Sequence, residues 1–255
     1  DLAHYPVDSV NSVHLQIEAV TIGCAEALRH VADPASMEVS IEDLLNPDLL
    51  AARAAEISMD TAGRYQTRLP LQGGTVYLSA ADASGMMVSM IQSNFWGYGS
   101  GVVVPETGIS LQNRGKGFTL KEGHPNRVVG GRRPFHTIIP ALATRGDRPE
   151  MAFGVMGHHM QPQGHVHIMT RVFDYGQNPQ TASDAPRWQM LDDLFQIVLE
   201  PGFDPEVIDG LQRRGHPITV DPADTSFGGA QLVQRLEHGY VGASDHRKDG
   251  QAAGY

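Results

Sequence analysis

A pair of glycines followed at once by a threonine and an alternating strand pattern constrains this chain more than any other feature. Gly73 and Gly74 precede Thr75, and glycine tolerates backbone conformations that strain other residues. From Thr75 the side chains alternate between two faces as far as Asp82, and turn-forming residues over 82–85 lead into an apolar run over 86–91. The sequence predicts a β-hairpin with Thr75 at the edge of a sheet, where a hydroxyl can react. A purely structural threonine at a strand start gives the same local pattern.

The composition excludes several classes of function. The chain has 255 residues, is 41% hydrophobic and carries a net charge of −10, which is typical of a globular protein with a large core. The acidic balance, with no basic cluster beyond Arg132 and Arg133, argues against a nucleic-acid partner. No apolar run approaches the roughly 20 residues of a membrane span. The chain opens on Asp1, as a fragment or processed product does, so the compartment stays open between cytoplasmic and periplasmic or secreted.

Helix signals lie on both sides of the hairpin. Apolar residues at helical spacing predict a helix over 12–31, and Asn46 followed by Pro47 predicts the start of another that ends near residue 57. Residues 58–74 have the composition of an exposed linker, where a processing site can be reached. Further predicted helices start at Gln163, with Val166, Met169, Val172 and Phe173 inward, after Asn178 and after Asp204; further strands are predicted at 138–139, 217–220, 230–236 and 240–241. This order of strand pairs, helices and strands predicts an α+β fold.

Six collinear stretches resemble the γ-glutamyltranspeptidase family, in particular its cephalosporin-acylase-like branch. They are TVYLSAAD at 75–82, PETGISLQN at 105–113, RRPFHTIIP at 132–140, MQPQGH at 160–165, DAPRW at 184–188 and GASDHR at 242–247. The resemblance is strong from Thr75 to the last residue and vaguer before it. It implies a four-layer αββα sandwich of the N-terminal-nucleophile hydrolase type, incomplete at its N-terminal side. Within that single domain, residues 1–74 correspond to the end of the large subunit and residues 75–255 to the small subunit.

The family's chemistry implies roles for the hairpin residues. Family precursors cleave themselves immediately before a threonine, so the resemblance implies a processing site at Gly74 and Thr75 and makes Thr75 the nucleophile. The implied activity is that of an amidohydrolase or acyltransferase that cleaves γ-glutamyl or glutaryl-type amides through an acyl-enzyme, with no metal or organic cofactor. The implied partners are a small-molecule amide and the upstream large-subunit region, and a homo-oligomer is compatible with them. The alternative is an uncleaved, inactive homologue or fragment with a binding or structural role.

Four further positions correspond to the family's catalytic machinery or lie beside it. Ser93 stands where a second hydroxyl residue bonds the threonine amine, and Asn94 lies one place before the expected substrate-binding asparagine, whose position Phe95 occupies. Gly157 and His158 stand where a glycine pair forms the oxyanion hole, which needs backbone N–H groups rather than particular side chains. The loop around Ser93 is glycine-rich over 97–101 but lacks the Gly-Lys-Ser/Thr of a phosphate loop. It is interpreted as a bent loop beside a pocket.

The substrate-binding positions depart from the transpeptidase pattern. Arg114 and Gly117 stand where a glutamine and an acidic residue hold the α-amino group of the donor. A guanidinium repels an ammonium and pairs well with a carboxylate, so Arg114 favours an acyl chain that ends in a carboxylate. His136 and Thr137 stand where two serines bind the α-carboxylate, and both can donate hydrogen bonds. The alternatives are that Arg114 points to solvent and that His136 is a core residue.

A cluster of four histidines is a possible signal for a metal site. His158, His159, His165 and His167 fall within ten residues, but two ligands from one helix need a spacing of three or four. The sequence therefore predicts no metal site there, and it predicts packing roles for His14 and Cys24.

Overall fold

The computed structural model describes residues 1–64, 74–191, 196–221 and 227–255. Its helices are α1 Val10–His30, α2 Ile41–Leu44, α3 Pro47–Ala54, α4 Met160–Met169, α5 Pro179–Asp184 and α6 Pro205–Arg213. Its strands are β1 Gly74–Ala81, β2 Met87–Phe95, β3 Ala141–Arg145, β4 Arg148–Met156, β5 Trp188–Met190, β6 Ile197–Leu199, β7 Ile218–Val220, β8 Gly229–Arg235 and β9 Tyr240–Ser244. Part of the predicted linker, residues 65–73, lies outside the described residues.

The predicted hairpin forms one layer of a three-layer stack. Strands β1 and β2 pair with each other and lie across a four-stranded antiparallel sheet of order β3-β4-β8-β9. The contact is close at Gly154, where the Tyr77 ring lies 2.4 Å from the position that a Cβ would take. Helices α4 and α5 cover the opposite face of the sheet. Sheet on sheet with helices outside is the layering expected of an α+β fold of this type.

A second core packs around α1. Ser9 caps α1 by accepting the Ser12 N–H through its side chain, as an N-cap serine commonly does. The buried stripe of α1 packs on α6 and on the three-stranded sheet β5-β6-β7. This stripe consists of Val13, Ile17, Val20 and Cys24, so the packing role predicted for Cys24 is confirmed. Burial raises the pKa of the Cys24 thiol to about 11, which keeps it protonated and unreactive at neutral pH.

Most of the predicted helices and strands are confirmed, but some need correction. The predicted helix from Gln163 begins earlier, at Met160, and it gives way to a π-helical turn over Thr170–Asp174. A π turn shifts the helical register, and Phe173 is therefore 39% exposed rather than inward. Ile138 and Ile139 are not part of a strand, because pairing begins at Ala141. Within the described segments, no helix is long and apolar enough to cross a membrane.

Two motifs from the family resemblance meet in a buried ion-pair network. Arg187 donates to Asp245 at 2.6 Å, and both side chains are essentially inaccessible. The other carboxylate oxygen of Asp245 accepts from Arg247 at 3.1 Å. Burial alone would raise the pKa of Asp245, but Arg187 and backbone N–H donors outweigh it and lower that pKa below its ordinary value. The network ties the end of β9 to the segment before β5, so its residues have a structural role.

We expect Asp245→Asn to lower the free energy of unfolding by about 3–5 kcal/mol, because it removes the carboxylate that is paired directly with the buried Arg187 guanidinium. Urea unfolding monitored by circular dichroism measures this loss. Asp184→Asn is the matched control, since Asp184 pairs with His246 at a partly exposed position, where about 1 kcal/mol or less is expected. Because the folded-state pKa is lowered, the Asp245 contribution is present above pH ~4 and lost as pH falls further. Equal small losses in both variants would contradict the structural role.

Candidate active site

The pairing of β1 with β2 brings the predicted nucleophile against its predicted partner. Thr75 pairs with Ser93 in the hairpin register, next to an irregularity between Gly74 and Thr75. The Thr75 hydroxyl donates a hydrogen bond to Ser93 Oγ at 3.1 Å, and Thr75 is 9% exposed. The loop predicted around Ser93 begins later in the structure, because β2 continues to Phe95. This extension of β2 is what places Ser93 opposite Thr75.

Asn94 lies at a β-bulge of β2. Gly74 pairs with Phe95 and Thr75 with Ser93, so the β1–β2 pairing skips Asn94, as it does the extra residue of a bulge. Its backbone carbonyl accepts the Asn113 N–H at 3.1 Å. The substrate-binding role of Asn94 stays a prediction, and its contribution seen here is to the backbone of the loop.

Phe95 lies at the centre of the predicted site residues. Its N–H donates to Ser93 Oγ at 3.0 Å, so it contacts the hydroxyl pair directly. Its buried ring lies 5.0 Å from the His158 ring and 5.1 Å from the Arg114 guanidinium carbon. Its backbone has a φ of 79°, a left-handed conformation that costs a bulky residue free energy and is found most often at functional sites. The sequence identified Phe95 only by its position and gave no sign of these contacts.

Arg114 is a buried cation with an unused donor. It is 5% exposed, so the alternative that it points to solvent is wrong. Its Nη1 donates to Thr137 Oγ1 at 3.1 Å, whereas its buried Nη2 has no hydrogen-bond partner among the described residues. Burial lowers the pKa of Arg114, but a guanidinium stays protonated in proteins. The site therefore contains a positive charge with one donor available to an anion.

His136 and Thr137 lie between Arg114 and an apolar cavity. His136 is exposed, so the alternative that it is a core residue is wrong. Partial burial and then the charge of Arg114 still lower the pKa of His136, which favours a neutral imidazole at pH 7. Both residues, together with His158, line a cavity of about 460 Å³ whose far wall includes Val20 and Cys24 of α1. The structure thus places the two predicted carboxylate-binding residues between a cation and a space large enough for an acyl chain.

Gly157 and His158 form the turn from β4 into α4. Both have left-handed backbones, with φ of 134° and 60°, and the β-carbon of His158 makes its conformation costly by about 1 kcal/mol or more. His158 is 5% exposed, and burial, followed by the charge of Arg114, lowers its pKa to about 4. His158 is therefore neutral at pH 7. The oxyanion-hole role of the two backbone N–H groups stays a prediction.

The histidines of 158–167 do not converge on a metal site in the described part of the chain. His167, for example, contacts the Trp188 carbonyl at 3.0 Å. The described residues do bring three possible metal ligands together elsewhere, namely His14, Glu18 and His216. The sequence missed this group because 198 positions of chain separate His216 from Glu18.

The sequence matches the family model described as gamma-glutamyltranspeptidase over residues 1–255. The chain belongs to the γ-glutamyltranspeptidase family. A cephalosporin acylase of Bacillus halodurans has a similar solved structure, with a TM-score of 0.89 and 44% identity over 98% of this chain and 46% of that one. The family resemblance and the α+β fold of the N-terminal-nucleophile hydrolase type are thereby confirmed.

Two curated relatives in the family show how diverse its members are. An oxamate amidohydrolase proenzyme of Klebsiella pneumoniae is 37% identical over 97% of this chain and 48% of its own length. A glutathione hydrolase-like proenzyme of Bacillus subtilis is 34% identical over 94% of this chain and 47% of its own length. The chain thus spans about half the length of these relatives.

Proposed function

We propose that this chain supplies the nucleophile of an N-terminal-nucleophile amidohydrolase or acyltransferase, made as a precursor and cut between Gly74 and Thr75. The single observation that carries the proposal is the Thr75 hydroxyl at the start of β1, hydrogen-bonded to Ser93 at 3.1 Å. The membership of the chain in the γ-glutamyltranspeptidase family supports the same conclusion. In this proposal, residues 1–74 end the large subunit and residues 75–255 form the small subunit, with the upstream large-subunit region as partner.

The proposed processing uses the chemistry of the threonine itself. The Thr75 hydroxyl attacks the carbonyl of Gly74, and the acyl group moves from the amide nitrogen to the hydroxyl oxygen. Water then hydrolyses the resulting ester, which leaves a carboxylate on Gly74 and a free amine on Thr75. An α-amine has an ordinary pKa near 8, so it can act as the base for its own hydroxyl at neutral pH.

Catalysis then repeats the attack on an external amide. The Thr75 amine accepts the hydroxyl proton while the oxygen attacks the substrate carbonyl, and the tetrahedral intermediate collapses as that proton passes to the departing amine. Water or an acceptor amine then attacks the resulting ester, the acyl-enzyme. The acyl group passes to the attacking molecule, and the Thr75 hydroxyl is restored. Backbone N–H groups at Gly157 and His158 are proposed to stabilise the oxyanion, because donors that are fixed before reaction cost no reorganisation. Ser93 holds the threonine in position.

We further infer that the acyl group ends in a carboxylate. Arg114 supports this because its buried Nη2 lacks a partner among the described residues, and a buried cation gains most from an anionic ligand. Thr137 fixes the guanidinium from the other side. The oxamate named for the Klebsiella relative is itself an amide that carries a carboxylate. Glutaryl amides fit the same description with a longer chain, for which the adjacent 460 Å³ cavity offers room.

Hydrolysis of two chromogenic anilides by the full-length protein tests this function. Glutaryl p-nitroanilide has the carboxylate without an α-amino group, whereas γ-glutamyl p-nitroanilide has both. We expect a higher kcat/KM for the glutaryl compound, because an ammonium beside Arg114 is repelled. Activity on the γ-glutamyl compound alone would contradict the role given to Arg114. Activity on neither would contradict the proposed reaction class.

A further inference from the structure

Three buried side chains converge on one point in the second core, away from Thr75. His14, Glu18 and His216 are 0%, 2% and 5% exposed. Their ligand atoms all lie within 4.8 Å of one another. The His14 Nδ1 to His216 Nε2 distance is 2.7 Å, and His216 Nε2 lies 3.9 Å from a Glu18 carboxylate oxygen. Two imidazoles and a carboxylate are a common ligand set for Zn²⁺.

Backbone groups hold the atoms of His14 and Glu18 that do not face the centre of the cluster. His14 Nε2 lies 2.7 Å from the Ser58 carbonyl oxygen, and donation to that carbonyl leaves a lone pair on Nδ1. The second carboxylate oxygen of Glu18 accepts the Gly63 N–H at 3.0 Å, which turns the first oxygen towards His216. Zinc-binding histidines commonly donate their other ring N–H to a carbonyl in this way. The surroundings thus orient both groups as metal ligands need.

The chain connectivity also matches that of a metal site. His14 and Glu18 are four positions apart on α1, so they lie one above the other on the same helical face. His216 comes from the segment between α6 and β7 and completes the group. A neighbouring cavity of about 140 Å³, lined by Glu18 and His216, has room for a water as fourth ligand.

We propose that His14, Glu18 and His216 form a Zn²⁺ site that links α1, the turn after α6 and the segment 58–63. Zinc bonds of roughly 2.0–2.2 Å place tetrahedral ligands about 3.4 Å apart, so the two imidazoles separate by less than 1 Å and Glu18 moves inward. The packing role predicted for His14 becomes a ligand role. All three ligands are enclosed by this chain alone, so the site does not depend on the proposed amidohydrolase function.

Metal binding to the chelator-treated protein tests the proposal. After dialysis against EDTA and then metal-free buffer, titration with Zn²⁺ in a calorimeter is expected to show one tight site per chain. At a free Zn²⁺ concentration about 100-fold above Kd, the thermal unfolding midpoint should rise by at least about 5 °C. A wild-type protein that neither binds Zn²⁺ nor gains thermal stability would overturn the proposal and leave a hydrogen-bonded triad in its place.

Variants of the proposed ligands show whether Zn²⁺ binds at this site or at other histidines of the chain. Glu18→Gln keeps an oxygen for the Gly63 N–H and nearly the same shape, and His216→Gln removes a ligand nitrogen. Each is expected to weaken Zn²⁺ binding at least tenfold with an unchanged circular dichroism spectrum. His238→Gln is the matched control, because His238 is 92% exposed and lies near the equally exposed Glu237. Binding that survives both ligand variants would assign the metal to other histidines and overturn the proposal.

Discussion

Replacing Thr75 with alanine is expected to lower kcat/KM for glutaryl p-nitroanilide by at least about 10³-fold, because the change removes the attacking oxygen. The same substitution should stop the cut at Gly74, since that cut uses the same hydroxyl. Thr75 is buried at one end of β1 and pairs with Ser93, so alanine fits the site without disturbing the hairpin. The measurement is the initial rate of nitroaniline release by the full-length protein and its variant.

Two further variants distinguish the role of Thr75 as nucleophile from the supporting role of Ser93. Thr75→Ser keeps the hydroxyl and should retain processing and measurable activity. Ser93→Ala removes the acceptor at 3.1 Å, and loss of one hydrogen bond, worth about 1 kcal/mol, predicts roughly a fivefold to tenfold decrease in rate. Thr75→Ala with the full wild-type rate would show that another group is the nucleophile.

Replacing Arg114 with methionine is expected to raise KM for glutaryl p-nitroanilide by about 30-fold to 150-fold. A charge-assisted hydrogen bond contributes about 2–3 kcal/mol, and this range of KM expresses its loss. Butyryl p-nitroanilide, which lacks the terminal carboxylate, should change by less than about threefold. The selectivity ratio of the two anilides is the measurement that isolates the guanidinium.

Two controls define the specificity of the Arg114 effect. Arg114→Lys keeps the charge but loses the planar pair of donors, so an intermediate KM is expected. Arg145→Met changes an arginine that is 73% exposed on β3 and should leave the ratio unchanged. If Arg114→Met lowers kcat/KM equally for both anilides, Arg114 supports the loop structure and does not bind the acyl carboxylate.

The sequence predicted those parts of the fold whose signals are local. The hairpin followed from strict alternation ending at turn residues, and the starts of α3, α5 and α6 followed from an Asn or Asp cap before proline. Strand β4 was not predicted, because its continuous burial over Met151–Val155 gives no alternation. Phe173 was misplaced because a π turn is not visible in a periodicity of 3.6 residues.

The candidate site also has parts that the sequence predicts and parts that it does not. Thr75 and Ser93 could be placed from the hairpin and the family resemblance. Arg114 could be named, but its burial depends on contacts with Thr137 and Phe95 that sequence spacing does not specify. The site at His14 and Glu18 carried a helical spacing signal, but its third member lies in a different part of the chain. Long-range packing therefore decides what the local signals leave open.

The intact mass of the purified full-length protein, recorded beside Thr75→Ala, tests the central claim most directly. The account predicts two polypeptides for the wild type, of which the small subunit begins at Thr75. It predicts one unbroken polypeptide for the variant. Sequencing of the new N-terminus confirms the position of the cut. A wild type that remains whole while hydrolysing the anilides, or a variant that is still cut before residue 75, would contradict the role of Thr75.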